Sequence, residues 1–578
     1  MHLDLEPKKP VNPKLANLKI AVAQIKTQPG QIEANTDAII KSLKEAKAEG
    51  ANLVVFPELT IPGYASMDLL YNPAYVQDNR EALKAIAPHT LGLTAVVGFV
   101  DQDPGAQRPG ERPHLYNSAA IFKNGELVAV RDKSLLPNYS IFYEDRYFAP
   151  ARERKIVDLG DYKLGVEICE DLWSGDYTVD PTTELAQQGA DLIVNLSASP
   201  FHIGKLPVRY ELLSETAKRN GVPMVYANLV GCYDGFEGEV VFDGRSLAAN
   251  AAGEIVSEAK GFREELKFVD PFKAAGASLP TVNRNQELKD ALILGIQDYF
   301  ERLNRSTNGT LRTAVIGISG GIDSALVLAL AAEALGSDRV IAVTLPSRFN
   351  SNETLGDAYA VCKNLGITCD TVAIEDIRNQ IEGDLVASKL GTFQAGLPSI
   401  ASENIQARVR MLCLMAYANG LNGVVLNTGN KTELALDNCT IYGDMVGGFS
   451  VLGDVDKDRI YDLARYINES AQREIIPNST IDRVPSAELK PNQVDADVMG
   501  AAPQIVAPLV REIIEQQLTL SQTIEQFGGD YNPELIRSIF KKLERSEWKR
   551  RQAAPAIRVT PQAFGIGRRI PIIHGFQK

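Results

Sequence analysis

Cysteine and histidine are scarce: six and five in 578 residues, with no CxxC pair and no HExxH pattern. That scarcity argues against a disulfide framework and against a zinc site of the common spacings. The six thiols, at 169, 232, 362, 369, 413 and 439, fit a reducing compartment. Long apolar runs are also missing. No stretch reaches the roughly 18 residues of a membrane helix, and the opening MHLDLEPKKPVNPKLANLK places charges and prolines where a signal peptide is apolar. A soluble, cytoplasmic protein without a membrane partner is expected. Basic residues are outnumbered, 60 against 73 acidic, for a net charge of −13. Such a chain repels phosphate backbones, so nucleic acid is not an expected partner, although a local basic pocket for a small anion is compatible with it. What remains is globular: 45% hydrophobic and 23% charged.

The first half alternates short β-rich runs with helical patterns. LKIAVAQI and ANLVVFPE read as buried strands around a helix at 35–49. TAVVGFV, a hairpin turning at Asn124-Gly125, KLGVEIC, ADLIVNLSAS and VPMVYANLVG continue the series. So many strands, some alternating with helices, point to a two-sheet α/β sandwich over 1–271. Residues 272–285, with AAGASLPTVNRN, read as a linker. From 286 to 578 a helix at 287–304, the strand TAVIGIS, a Gly-Gly turn, the helix ALVLALAAEAL and the strand VIAVTLP open a doubly wound parallel sheet.

Between that strand and helix lie Gly317 and Ser319-Gly320-Gly321-Ile322-Asp323-Ser324. Glycines let backbone N–H groups approach phosphates, and the helix N-terminus adds its positive end. The two serines offer hydroxyl donors, and Asp323 can hold magnesium. No lysine follows the glycines, so this is not a Walker loop. Gly-Gly alone would be an ordinary tight turn; the whole hexamer resembles the signature of the ATP pyrophosphatases. ENIQARVRM, NTGNKTELAL, IYGDMVGGFSVLGDVDK, PSAEL and FGIGRRIPI follow in order, and the segment from 286 onward resembles NAD synthetase domains. The resemblance implies that the carboxylate of deamido-NAD is adenylated by ATP and that ammonia then displaces AMP. It implies Thr428 and Lys457 at ATP, Asn404, Glu433 and Lys549 at deamido-NAD, and magnesium on Asp323 and Glu433. Taken singly, Asn404 and Glu433 would be helix-surface residues. The stretch 541–569, with nine Lys/Arg against two Glu, would by default be a solvated face; phosphate-rich substrates make it an expected pocket lining. Asp437-Asn438 stand where the family has Gly-Tyr, and Asp458 where it has Thr. Carboxylates there would weaken phosphate binding unless turned away or bound to metal.

In the first domain KLGVEICEDLW ends a strand at Cys169, VVFPELTIPGY places Glu58 after another, and VRDKSLLPNY places Lys133 after the hairpin. A buried strand cysteine is usually a small hydrophobe. Beside a lysine and a glutamate it is a candidate nucleophile, the cation favouring thiolate and the carboxylate accepting its proton. The neighbouring Glu170 and Asp171 would oppose thiolate formation. These segments resemble the nitrilase superfamily over 18–270. The resemblance implies an αββα sandwich, Glu58 as base, Lys133 as oxyanion stabiliser, Cys169 as nucleophile and Glu144 as a glutamate positioning the lysine. In the branch fused to NAD synthetase it implies a glutaminase, with Tyr139, Ser199 and Lys205 at glutamine; alone, Lys205 would be a surface lysine.

Together the halves resemble glutamine-dependent NAD synthetases: a glutaminase supplying neutral ammonia, through an internal channel, to an ATP-dependent ligase. Homo-oligomers from dimers to octamers are implied. The competing readings are a ligase of the same class acting on another carboxylate, which PSAEL and FGIGRRIPI disfavour, and a chain in which one domain is only a scaffold.

Overall fold

The computed structural model describes residues 12–103, 114–235, 238–274, 282–491, 493–565 and 567–573. Contacts divide the chain into two compact units. One takes Met1–Tyr233 and Val241–Thr281, the other Asp234–Val240 and Val282–Lys578. Of the linker expected at 272–285, residues 275–281 lie outside the described residues.

The first unit is built on strands of alternating facing. In chain order these are β1 (Ile20–Gln24), β2 (Leu53–Val55), β3 (Thr94–Gln102), β4 (Leu115–Lys123), β5 (Glu126–Asp132), β6 (Val157–Asp158), β7 (Lys163–Ile168), β8 (Leu192–Ser197) and β9 (Met224–Asn228). The chain continues as β10 (Val230–Asp234) and β11 (Gly238–Asp243), of which Asp234 and Gly238–Val240 belong to the second unit, then β12 (Leu247–Ala249), β13 (Ile255–Glu258) and β14 (Glu265–Val269). One sheet runs β14-β1-β2-β3-β4-β5 and the other β13-β12-β9-β8-β7-β6. Their parallel centres, β1-β2-β3 and β7-β8-β9, are flanked by antiparallel strands. The hairpin turns at Asn124 and Gly125, both with positive φ, as a two-residue turn requires.

Side chains sort by parity. Ile20, Val22, Leu53, Val55, Val96 and Ile121 of the first sheet meet Leu164, Val166, Ile168, Val194 and Val225 of the second. The opposite faces, Ala21, Ala23, Val54, Val97 and Phe99, are covered by α1 (Ile32–Ala48) and α2 (Pro73–Ile86). Ile193, Met224 and Tyr226 pack under α3 (Pro181–Gln187) and α4 (Lys205–Asn220). This is an αββα sandwich. Because both faces of its central strands are buried, they are apolar throughout, each buried Val, Leu or Ile contributing about 1.5–3 kcal/mol.

The second unit holds β15 (Thr313–Gly317), β16 (Val340–Thr344), β17 (Cys369–Thr371), β18 (Gly423–Asn427), β19 (Phe449–Ser450) and β20 (Ala556–Arg558) in a parallel sheet of order β20-β19-β18-β15-β16-β17. Gly238–Val240 extend it beside β20. Helix α5 (Arg284–Ser306) begins three residues before the expected 287, inside the expected linker, because the Asn283 side chain accepts from the Asn285 and Gln286 amides. It packs with α6 (Ile322–Leu335). Helix α7 (Asn352–Leu365) follows β16, and α8 (Glu375–Val386) and α9 (Ser399–Leu421) precede β18. On the other face, Val409, Leu414 and Ala418 of α9 cover Val315, Val343 and Val425. The sheet is therefore doubly wound. The short α10 (Lys431–Ala435) and α11 (Lys457–Ala471) follow, then α12 (Asn478–Asp482), α13 (Asp495–Met499), α14 (Pro503–Glu515), α15 (Leu520–Phe527), α16 (Pro533–Arg545) and α17 (Glu547–Arg550). From β15 the chain moves outward to β16 and β17, then returns to β18 on the other side. That reversal opens a crevice at the strand ends, the place where such sheets hold ligands.

Among the described residues no helix is long and apolar enough to cross a membrane.

Candidate active sites

In the first unit, three strand ends carry the candidate reactive groups. Glu58 stands three residues past β2, Lys133 directly after β5 and Cys169 directly after β7; Glu144 opens a short 3-10 turn. All four are buried. Lys133 Nζ donates to Glu58 Oε1 at 2.7 Å and to Glu144 Oε1 at 2.8 Å. Glu58 also accepts from Asn117 Nδ2 at 2.7 Å and from the Ala198 amide at 2.9 Å. Burial alone would depress the Lys133 ammonium, yet Glu144 and Glu58 hold it well above the usual lysine range. Burial lifts the Glu144 carboxyl to about 7, against the pull of Lys133.

Cys169 has a φ of +45°, a left-handed conformation that a side chain other than glycine adopts only at a cost. Burial pushes its thiol well up, Glu58 pushes further, and Lys133 pulls it back. Glu170 adds a smaller push. Its carboxylate is held by the hydroxyls of Tyr139 and Tyr177, each at 3.0 Å. Asp171, expected to oppose the thiolate, instead accepts from backbone amides. Tyr139 is half exposed and within electrostatic reach of Cys169. Ser199 is buried, its amide donating to Asn228 Oδ1 and its hydroxyl 3.4 Å from Arg209 Nε. Lys205 opens α4 with its ammonium 3.9 Å above the Trp173 ring. Asn117 is a partner that sequence reasoning missed; its signal was the polar Asn-Ser pair inside an otherwise apolar strand.

In the second unit, Gly317, Ser319, Gly320, Gly321, Asp323 and Ser324 line one cleft of about 540 Å3 with Asn404, Thr428, Glu433, Lys457 and Lys549. The loop follows β15, and Thr428 follows β18, so both sides of the crevice contribute. Gly320 has a φ of +83°, and a Cβ there would lie 1.9 Å from the Thr354 carbonyl oxygen. Only glycine lets the loop pack against α7. Ser319 and Ser324 hydroxyls are 3.2 Å apart, and Ser319 Oγ accepts from the Gly321 amide at 3.2 Å. Lys457 pairs with Asp323 and lies 3.7 Å from Glu433. Asn430 caps α10, its amide also donating to Asp323 at 2.9 Å. Burial and the Asp323 charge push Glu433 up to about 8, partly offset by Lys457.

One expectation changes. Among the described residues of the basic stretch 541–569, Lys549 is the one Lys or Arg that lines the cleft, joined by Ala553. Arg550 and Arg551 pair with Glu547, Arg568 with Glu544, and Arg558 donates to carbonyls at 560 and 561. Arg410, to which no role was given, lines the cleft as a buried cation lowered to about 10 by burial, donating to the Leu345 carbonyl. Of the carboxylates at the departures from the family pattern, Asp458 is absent from the cleft lining while Asp437 is part of it. Asp458 accepts from Arg511 at 2.9 Å. Asp437, in a left-handed conformation that aspartate tolerates, sits 2.9 Å from Lys549 Nζ.

The family model for carbon-nitrogen hydrolases matches residues 19–270, and that for NAD synthase matches 295–553. A glutamine-dependent NAD(+) synthetase of Synechocystis sp. is 39% identical, the alignment covering 96% of this chain and 99% of the relative. One of Thermotoga maritima is 36% identical, covering 98% and 100%. The structure of the Acinetobacter baumannii glutamine-dependent NAD+ synthetase, solved with adenosine diphosphate, is 33% identical with a TM-score of 0.74 over 96% of this chain and 98% of that one. The Cytophaga hutchinsonii structure shares the fold at 21% identity, with a TM-score of 0.78 over the same shares. The chain belongs to the family of glutamine-dependent NAD(+) synthetases.

Proposed function

We propose that this chain amidates deamido-NAD to NAD, using ATP and ammonia taken from glutamine, and releases AMP, pyrophosphate and glutamate. The observation that carries the reading is the convergence of eleven residues, singled out from scattered motifs, on one cleft at the crevice of the doubly wound sheet.

In the glutaminase, Glu58 takes the Cys169 thiol proton as sulfur attacks the side-chain amide carbon of glutamine. Lys133 faces the resulting oxyanion, to which its ammonium donates. The proton passes to the leaving nitrogen, ammonia departs, and water attacks the thioester to free glutamate. Glu144 keeps Lys133 aimed. Tyr139, Ser199 and Lys205 hold the amino-acid end of the substrate.

In the synthetase, the loop from Gly317 to Ser324 cradles the ATP phosphates, with Thr428 beside the nucleotide and Lys457 reaching the triphosphate. A carboxylate oxygen of deamido-NAD attacks the α-phosphorus, and pyrophosphate leaves. Ammonia attacks the acyl carbon of the adenylate, and AMP leaves. Asn404, Glu433 and Lys549 bind the dinucleotide. Magnesium fits the donor set: Asp323 and Glu433 are hard oxygen donors whose mutual repulsion Lys457 only partly relieves. Among the described residues no group of three ligating side chains stands together, so Asp323 and Glu433 would be the chain's own ligands to an ion of a kind that commonly also takes substrate phosphates and water. When bound it neutralises charge on the departing phosphates.

The test is Cys169→Ala. It should abolish NAD formation from glutamine and retain formation from added ammonium salt. Retained glutamine-driven synthesis would overturn the glutaminase assignment.

A further inference from the structure

Asp171 lies two residues beyond Cys169 in CEDLW, with its side chain 1% exposed. Both of its carboxylate oxygens are used. Oδ1 accepts from the Ser134 amide at 2.9 Å and the Leu135 amide at 2.8 Å; Oδ2 accepts from the Ile168 amide at 3.0 Å. Ser134 and Leu135 directly follow Lys133, and Ile168 directly precedes Cys169. One buried carboxylate therefore ties the backbone that carries the lysine to the backbone that carries the thiol.

The rest of the local structure gives this tie its consequence. Lys133 is anchored on its other side, where its amide donates to the Asn117 carbonyl at 2.8 Å and its carbonyl accepts from the Ala151 amide at 2.9 Å. Asp171 completes the restraint. Cys169 sits in a left-handed conformation that its own chain does not favour, and the bond from Ile168 N–H to Asp171 closes the turn that imposes it. Asn195 supports the same turn from below, 3.4 Å from the Cys169 carbonyl. A carboxylate suits the place: three N–H donors converge on two acceptor oxygens. An asparagine offers one oxygen, and its NH2 would face a donor.

We propose that Asp171 is a positioning residue for the glutaminase: it sets the Lys133–Cys169 geometry by clamping the two strand ends together. It touches neither substrate nor the reacting atoms. The inference rests on the assignment of Cys169 as the nucleophile of glutamine hydrolysis.

The experiment uses the full chain with Asp171→Asn, and with Asp171→Ser as a smaller neutral variant. Each is assayed for glutamine hydrolysis, for NAD formation from ammonium salt, and for the pH dependence of Cys169 alkylation by iodoacetamide. The expected result is a fall in glutaminase kcat of about 100-fold, the size of effect that about 1 Å of misplacement produces, with KM within about twofold. Ammonia-driven synthesis is retained. The alkylation profile moves to higher pH, because a lysine that has drifted no longer stabilises the thiolate. A kcat that stays near the parent value in both variants, or an alkylation profile that does not move while kcat falls, overturns the clamp. Cys169→Ala runs in parallel: if it keeps glutamine-driven synthesis the functional reading itself fails, whereas if it loses synthesis and the Asp171 variants do not, only the clamp fails.

Discussion

Lys133 is a buried cation between two buried glutamates, and that arrangement makes its site sensitive to pH. Three charges in a dry place are costly unless each is paired. Glu144 shows the cost, because burial has moved its carboxyl from an ordinary 4.5 up to about 7. A raised carboxyl favours the protonated form in the fold. The stability it contributes is full below its ordinary range and is lost as pH rises through about 7. Activity runs the opposite way. As pH falls through about 7, Glu144 gains a proton and Lys133 loses one of its two anionic partners. Glutaminase kcat/KM, which reports the free enzyme, should therefore decline on the acid side with a midpoint near 7. Glu144→Gln, fixed in the neutral form, should lower kcat/KM at all pH values and lose that midpoint. A Gln variant retaining the acid limb would assign the titration to another group. Lys133→Met tests the same trio through stability: it leaves Glu58 and Glu144 buried without their cation, a loss of about 3–5 kcal/mol on the scale of broken buried pairs, readable as a lower denaturation midpoint.

Among the elements, the loop between β15 and α6 carries the tightest constraint. Gly320 combines a φ of +83° with a carbonyl oxygen 1.9 Å from where a Cβ would sit. Gly320→Ala must displace either the loop or the start of α7. Synthesis should then fall by at least about 100-fold from both glutamine and ammonium salt, since the loop proposed to cradle the phosphates has moved, while Cys169 alkylation keeps its parent rate. Equal activity with ammonium salt would mean that the loop tolerates a side chain. This loop was legible in the sequence because its chemistry is local: after a strand, two glycines, two serines and an aspartate within six residues. The alternating buried strands were legible for the same reason. Asn117 and Asp171 were harder. Asn117 meets Glu58 across 59 positions, and Asp171 meets Ser134 across 37; no periodicity announces such pairs. The basic stretch at 541–569 misled because charge density does not reveal direction, and its arginines spend their donors on Glu547, Glu544 and backbone carbonyls. The N-terminus of α5 was misplaced because the cap of Asn283 lies in a segment that composition marks as a linker.

For the whole molecule, the question is how one chain with a net charge of −13 feeds a neutral nucleophile into a reaction between anions. Ammonia in neutral solution is mostly ammonium, which has no lone pair to attack an acyl adenylate. An enzyme taking nitrogen from solution must wait for the scarce neutral form. One that produces ammonia by cleaving glutamine within the same chain need not. The two regimes separate by pH. At a fixed total concentration of ammonium salt, below saturation, the neutral fraction grows about tenfold per pH unit while ammonium predominates. Cys169→Ala should therefore show ammonia-driven synthesis that climbs with that slope from neutral to mildly alkaline pH. The parent enzyme with glutamine should stay far flatter over the same interval, bounded only by the titration of its own groups. Adding a scavenger of free ammonia, such as glutamate dehydrogenase with its co-substrates, should suppress the Cys169→Ala reaction and spare the glutamine-driven one. If the parent reaction instead climbs with the same slope and is equally suppressed, ammonia is passing through solution, and the two units act as separate catalysts that share a chain.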